Sequence, residues 1–445
     1  MKKRLMFSIV TIALLIGQIS AVPLFRDSLS NGFVVLTYED HRLPVVDIRF
    51  VCRSGAAYDP RFKSGLANLT AKMLLRGTEN MKGDSVADIL EFLGTKHSAG
   101  ADHDYSYLDI KTLSRSMDQV LDILSDAVLN PAFRPEAFSR EQAKALTAAQ
   151  RGYDNPRLVV MTEFDRLLFG NHPYASEPWG DTATLRKLKP EDSKTFYQTC
   201  YLPNNSFIII VGDTKHKDIL KSIRNRFSKW RPGTIKKLHV PEIAYPKTMR
   251  VKLITRPDFS QTCIMLGHPG ISISDPQMLS TRLMSFILGG SALGSRLGQA
   301  VREKAGLAYD VRCWFDRRAF MGAYRATVQT VNPKPAIEKM LAEIRRMHSS
   351  GPTEKELEAA CNYYTGSFPL RYSSSNGKLY QITRLELYNL GTDWLDTFPD
   401  KINALTLSDL KTSAREHLHP GKYLIVIVGN ITRNDLDLPD AEWIN

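Results

Sequence analysis

The chain has 445 residues, 43% of them hydrophobic and 24% charged, with a formal net charge of +12. That length is too great for one hydrophobic core, and the composition is ordinary for globular domains, which excludes a disordered or low-complexity chain. The basic balance suits an acidic partner, an acidic substrate, an anionic surface or simply a solvated charged exterior; the Lys and Arg are dispersed, without a basic helix or aromatic-basic module, which argues against nucleic acid.

Lys2, Lys3 and Arg4 precede an apolar run from Leu5 to Gly17, and Ile19-Ser20-Ala21 offers a cleavage site. The run is too short to span a bilayer, so residues 1–21 read as a signal peptide, which predicts a secreted or periplasmic protein without a transmembrane anchor after cleavage. The five cysteines, Cys52, Cys200, Cys263, Cys313 and Cys361, are scattered and odd in number, which indicates neither a disulfide framework nor a C-x-x-C metal site.

Beyond the signal, Gly32 to Tyr38 and Val45 to Cys52 are rich in β-branched and aromatic residues and predict strands. Helices are predicted from Gly65, over 85–93 with Val86, Ile89, Leu90 and Leu93 at helical spacing, and over 117–129, 135–151, 158–169 and 190–200. Alternation over Ser106 to Leu113 and the apolar run Ser206 to Gly212 predict two more strands. The plan then repeats. Asp275-Pro276 follows Asp59-Pro60 by 216 residues, and Leu405, Asp409, Pro420 and Gly429 follow Leu188, Asp192, Pro203 and Gly212 by 217. The expectation is an α+β protein with two homologous domains from an internal duplication, each an antiparallel-rich sheet packed with helices. The domains would cover 24–228 and 249–445, joined by a Pro- and Gly-punctuated linker over 229–248.

The stretch Gly65 to Thr78, GLANLTAKMLLRGT, resembles the first helix of the insulinase/pitrilysin (inverzincin) metallopeptidases, in the frame Gly-x-Ala, a six-residue window, then Leu75-x-Gly77-Thr78. In that family the helix carries H-x-x-E-H, whose two His grip one Zn²⁺ from a single helix face while the Glu acts as base. The matching positions here are Asn68, Ala71 and Lys72. The family's third ligand, a Glu on a helix ending before an Asp-x-Pro turn, matches Ala148 ahead of Asp154-Asn155-Pro156, with Glu141 two turns earlier. Alanine offers no lone pair and a lysine ammonium only donates, so the resemblance implies a degenerate site with no metal in this chain. One possible replacement is an ion pair between Lys72 and Glu141. His97, just before SAGADHDYS, His103 within it beside Asp102 and Asp104, and the pair His417 and His419 lack zinc spacing and read as solvated loop histidines.

Ser295 to Tyr309, SRLGQAVREKAGLAY, resembles the family segment that bears an Arg-x6-Tyr pair in the C-terminal domain, here Arg302 and Tyr309. Gly306 should end the helix, with Tyr309 opening a strand over 307–315. In the family these side chains bind the substrate carbonyl opposite the zinc domain. With the zinc positions dismantled and this pair retained, the chain is similar to the non-zinc subunits of the two-chain bacterial or mitochondrial-processing-peptidase-like branch. The resemblance implies a hetero-oligomer in which a zinc-motif partner supplies Zn and base, Arg302 and Tyr309 act in trans, and short or unfolded peptides are cleaved. The alternative is a pseudo-peptidase scaffold with no catalytic contribution. Neither a phosphate loop nor a G-x-S-x-G elbow is present.

Overall fold

The structure, a computed structural model, describes residues 24–444, so the signal segment lies outside the described residues. The first half contains strands β1 (Leu24–Ser28), β2 (Val34–Glu39), β3 (Val45–Cys52), β4 (Lys96–Ala101), β5 (Ser106–Leu113) and β6 (Ser206–Gly212). Its helices are α1 (Leu66–Met73), α2 (Gly83–Phe92), α3 (Met117–Leu129), α4 (Pro135–Gly152), α5 (Pro156–Phe169), α6 (Thr182–Leu185), α7 (Pro190–Cys200) and α8 (His216–Phe227). The second half has β7 (Arg250–Thr255), β8 (Thr262–Pro269), β9 (Ala308–Phe315), β10 (Ala323–Thr330), β11 (Leu424–Gly429) and β12 (Glu442–Ile444). Its helices are α9 (Met278–Gly289), α10 (Pro333–Ser350), α11 (Glu354–Gly366), α12 (Phe368–Arg371), α13 (Ser375–Leu387), α14 (Trp394–Asn403) and α15 (Leu407–His417). Residues 230–249 form no helix or strand.

The duplication is visible in the strand order. The first sheet runs β1-β2-β6-β3-β5-β4 and the second β12-β7-β11-β8-β10-β9. In both, one inner pair is parallel, β2 with β6 and β7 with β11, and the strands beyond it are antiparallel. The outer edge differs: β1 enters from the N-terminal side antiparallel to β2, whereas β12 closes the second sheet from the C-terminal side, parallel to β7.

Both central strands are buried on both faces, which explains their unbroken apolar runs. On β6, Ile208 and Ile210 face the domain's own helices, while Phe207, Ile209 and Val211 face the opposite side. That opposite side is covered by Leu379 and Ile382 of α13, from the other half. The exchange is reciprocal: Val160, Phe164 and Leu168 of α5 cover Leu424, Val426 and Val428 of β11. Helices α5 and α13 occupy equivalent places in the repeat, so each half lends one helix to its counterpart's sheet. Charged contacts reinforce both lids. Glu386 on α13 meets Arg53 at 2.5 Å and Arg26 at 2.8 Å, and Lys378 meets Asp40 at 2.5 Å. On the other side Asp165 of α5 meets Arg325 of β10 at 2.6 Å.

All five cysteines are free thiols, four of them buried, so stability rests on packing rather than cross-links.

Candidate functional site

Helix α1 is set by its N-terminus. Gly65 sits at φ +92°, and Asp59 accepts hydrogen bonds from the Gly65 and Ala67 amides, both at 2.8 Å. This satisfies donors that a helix start leaves open. The closely packed backbone of Gly180 leaves no room for a side chain on Gly65. Helix α1 then lies between β4 and α4, the placement a metal site spanning α1 and α4 would need.

The donor set does not fit a zinc ion. Ala71 is fully buried and has only a methyl group to offer. The Asn68 side-chain oxygen accepts from the Ala101 amide at 3.2 Å, which turns a ligand position into a strut between α1 and the edge strand β4. Ala148 is exposed and lines a cleft of about 600 Å³ with Ser64, Tyr153, Glu177 and Trp179. The expected pairing of Lys72 with Glu141 is not formed. Glu141 is buried and is held by Arg76 at 2.8 Å and Lys144 at 2.9 Å. With two cations already in place, its carboxylate has no need of Lys72, which makes no ion pair among the described residues.

The second candidate pair is brought together. Arg302 lies in a π-helical turn over Gly298–Glu303, and Gly306, at φ +61°, ends the turn and directs the chain into β9. The Arg302 guanidinium carbon stands 4.5 Å from the centre of the Tyr309 ring. Tyr309 is 81% exposed, and among the described residues neither side chain has an ion-pair or hydrogen-bond partner. Tyr309 is therefore presented outward on the edge strand β9, with the half-buried Arg302 of the preceding turn over its ring, beside a hollow of about 340 Å³ lined by Gly306, Leu307 and Gln329. Arg157 of α5 anchors this edge from below, reaching Gln329 at 2.9 Å and Asp310 at 3.4 Å.

A third cluster was not expected. His103, predicted as a solvated loop residue, is 4% exposed. It sits in the β4–β5 turn with its ring 5.3 Å from that of Tyr174 in the segment after α5, next to Asp104, which the β9–β10 turn of the other half contacts, so this turn is buried where the two domains meet. Neighbouring Asp104 accepts from the Tyr174 hydroxyl, from Tyr388 at 2.8 Å and from the Ala319 amide at 2.9 Å, and so ties three segments together. Ligand atoms of His103, Asp165 and Glu177, all buried, lie within 4.8 Å of one another. They could close on a cation, but Asp165 is already matched by Arg325 at 2.6 Å, with Arg318 at 3.6 Å. Burial, and secondarily the Asp165 charge, pushes Glu177 up to about 8, so at neutral pH it keeps its proton and stands beside Asp165 as a neutral acid. Burial, then Arg318 and His103, pulls His172 down to about 4 and leaves its ring neutral. His103, Glu177 and Arg318 look into a cleft of about 1030 Å³ between the β4–β5 hairpin and residues 370–381. The residues come from positions 103, 165 and 177, far apart in sequence; the one local signal was the aromatic- and proline-rich stretch from His172 to Trp179.

Comparison with known proteins places this architecture. Residues 34–180 match the model of insulinase (peptidase family M16), and residues 187–364 match that of the peptidase M16 inactive domain. A Helicobacter pylori protein described as the non-peptidase homolog YmxG is 25% identical over 94% of this chain and 98% of its own length. A Rickettsia bellii protein described as an uncharacterized zinc protease is 26% identical over 71% of this chain and 75% of its own. The crystal structure of a peptidase M16 inactive domain from Pseudomonas fluorescens superimposes with a TM-score of 0.84 at 28% identity, covering 92% of this chain and 98% of that one. Two M16-like domains clasped by exchanged helices, the first matching the insulinase model and the second the model described as the peptidase M16 inactive domain, make this chain a member of the M16 insulinase family.

Proposed function

We propose that the chain is the zinc-less subunit of a hetero-oligomeric M16 peptidase, acting on short or unfolded peptides outside the cytoplasm. A zinc-motif partner would supply the metal and the general base. The observation that carries this reading is the Arg302–Tyr309 pair, preassembled where a half-buried turn arginine meets an exposed edge-strand tyrosine and without an ion-pair or hydrogen-bond partner among the described residues, while the chain's own metal positions hold no ligand set. A guanidinium and a neutral phenol are both donors, and two donors fixed at a developing oxyanion are worth on the order of 10²–10³ in rate each. Strand β4, the equivalent edge of the first sheet, pairs on one side only among the described residues and offers backbone groups for an added peptide strand.

The test is reconstitution with a zinc-motif M16 chain. Arg302→Ala and Tyr309→Phe should each lower kcat of the mixture by roughly 10²–10³-fold. Tyr309→Phe should leave the melting of this chain by itself unchanged, because the hydroxyl has no hydrogen-bond partner among the described residues. Full activity with both substitutions, while association persists, would instead favour a scaffold role.

A further inference from the structure

A second feature of the clasp is not used by this reading. Four arginines from different elements converge behind the β9–β10 turn: Arg282 on α9, Arg317 in the turn, Arg371 at the end of α12 and Arg384 on α13. None of them lies within 4.0 Å of a carboxylate among the described residues. Their contacts are aromatic. Arg282 lies 4.7 Å from the Tyr364 ring and donates to its hydroxyl at 3.2 Å, Arg371 lies 5.2 Å from the same ring, and Arg384 donates to Tyr380 at 3.3 Å.

This electrostatic situation is unusual. Burial first, and then the charges of Arg384 and Arg282, pull Arg317 down to about 9. Burial would raise the Tyr380 phenol, but Arg384 and Arg317 outweigh it and bring it below its ordinary value. Both shifts express the same deficit, positive charge gathered without a counter-charge. The four guanidiniums are half-buried, and like charges held together without partners repel one another; the acid on the wall, Asp275, has its carboxylate turned to the Gln277 amide at 2.8 Å.

The arginines surround a usable space. Arg282, Arg317 and Arg384, with Lys401, line a pocket of about 230 Å³ whose remaining walls include Leu279, Leu385 and Trp394. That is below the ~300–1,000 Å³ of sites for drug-sized ligands and suits a small ion. Guanidinium forks match carboxylate and phosphate oxygens, and they stay charged throughout the physiological range.

We propose that this pocket binds a multiply charged oxyanion through Arg282, Arg317 and Arg384. The ligand carries phosphate or carboxylate groups, and it neutralises the cluster between α13 and the rest of the second half, behind the α13 face that carries Leu379 and Ile382 onto the first sheet. Binding therefore fixes α13 against its own half.

The experiment is calorimetry and thermal melting of the full chain with inorganic phosphate, citrate or chloride at equal ionic strength. At least one of the two polyanions should bind ten times more tightly than chloride and raise the melting temperature; phosphate preference marks a phosphorylated ligand and citrate preference an organic acid. Arg317→Met and Arg384→Met should each weaken that binding at least tenfold, whereas Lys217→Met, an exposed charge on α8, should not. Ligand-free Arg317→Met should melt at or above the parent, because it relieves repulsion. The proposal is overturned if neither polyanion outbinds chloride, if both arginine variants bind unchanged, or if ligand-free Arg317→Met melts well below the parent, which would make the guanidinium a structural strut.

Discussion

Replacing Arg325 with Met would remove the cation that joins the lid helix α5 to the second sheet. Arg325 is 2% exposed and meets Asp165 at 2.6 Å and Asp316 at 2.8 Å, both buried carboxylates. Breaking a buried pair by deleting one partner costs about 3–5 kcal/mol, because the remaining charge is left uncompensated. Arg318, 3.6 Å from Asp165 and 3.9 Å from Asp316, remains as a weaker counter-charge and holds the cost near the lower bound, about 3 kcal/mol. For a domain of this size that corresponds to a fall of roughly 6–12 °C in Tm. Urea unfolding at pH 7 measures the free energy directly. The pH dependence adds a second check. Burial alone would raise Asp316, but Arg325 and Arg318 outweigh it and hold its carboxyl below the usual range. A depressed acid stabilises the fold above its unfolded value, about 4, and that contribution is lost as pH falls below it. The parent's advantage over Arg325→Met should therefore shrink in acid. A loss below about 1 kcal/mol at pH 7, the scale of a surface ion pair, or a difference that grows in acid, would refute the clasp as described.

Glu177→Gln should have the opposite pH signature. The folded group titrates near 8 and the unfolded one near 4.3, so the parent loses stability as pH rises from about 5 to 8. The variant should be flatter across that interval and gain on the parent at pH 8; urea curves at pH 6 and pH 8 that show the parent gaining instead would contradict a buried, protonated Glu177. Gly65→Ala should cost about 1–3 kcal/mol, since a side chain at φ +92° is strained and its Cβ would stand 3.0 Å from the Gly180 Cα. A Tm equal to the parent's would show that the start of α1 relaxes freely.

Much of the local structure was legible because it is periodic. The alternation in Ser106 to Leu113 and the amphipathic stripe in Met117 to Leu129 gave those elements with their bounds, and offsets near 217 anticipated two halves of the same α+β architecture, each now seen around a six-stranded sheet. The helix exchange was not legible. Val160 and Phe164 mark an apolar face on α5, but a face does not state which sheet it covers. His103 was misread for the same reason, since a turn is buried only when another domain closes over it. The Lys72–Glu141 pair offered as one possibility does not form, because Arg76, just past α1, reaches the carboxylate in space, which the motif's own spacing does not indicate. The arginine pocket draws on residues 282, 317 and 384, which no linear spacing joins.

The most direct test of the account is the metal content and peptide hydrolysis of the isolated chain after it is stripped, reloaded with zinc and passed through a desalting column. With alanine at two of the four zinc-site positions, an engaged asparagine and a lysine, the chain should retain no stoichiometric zinc at α1 and cut no peptide without a partner. One tightly held zinc, lost in Asn68→Leu and accompanied by chelator-sensitive hydrolysis, would contradict it.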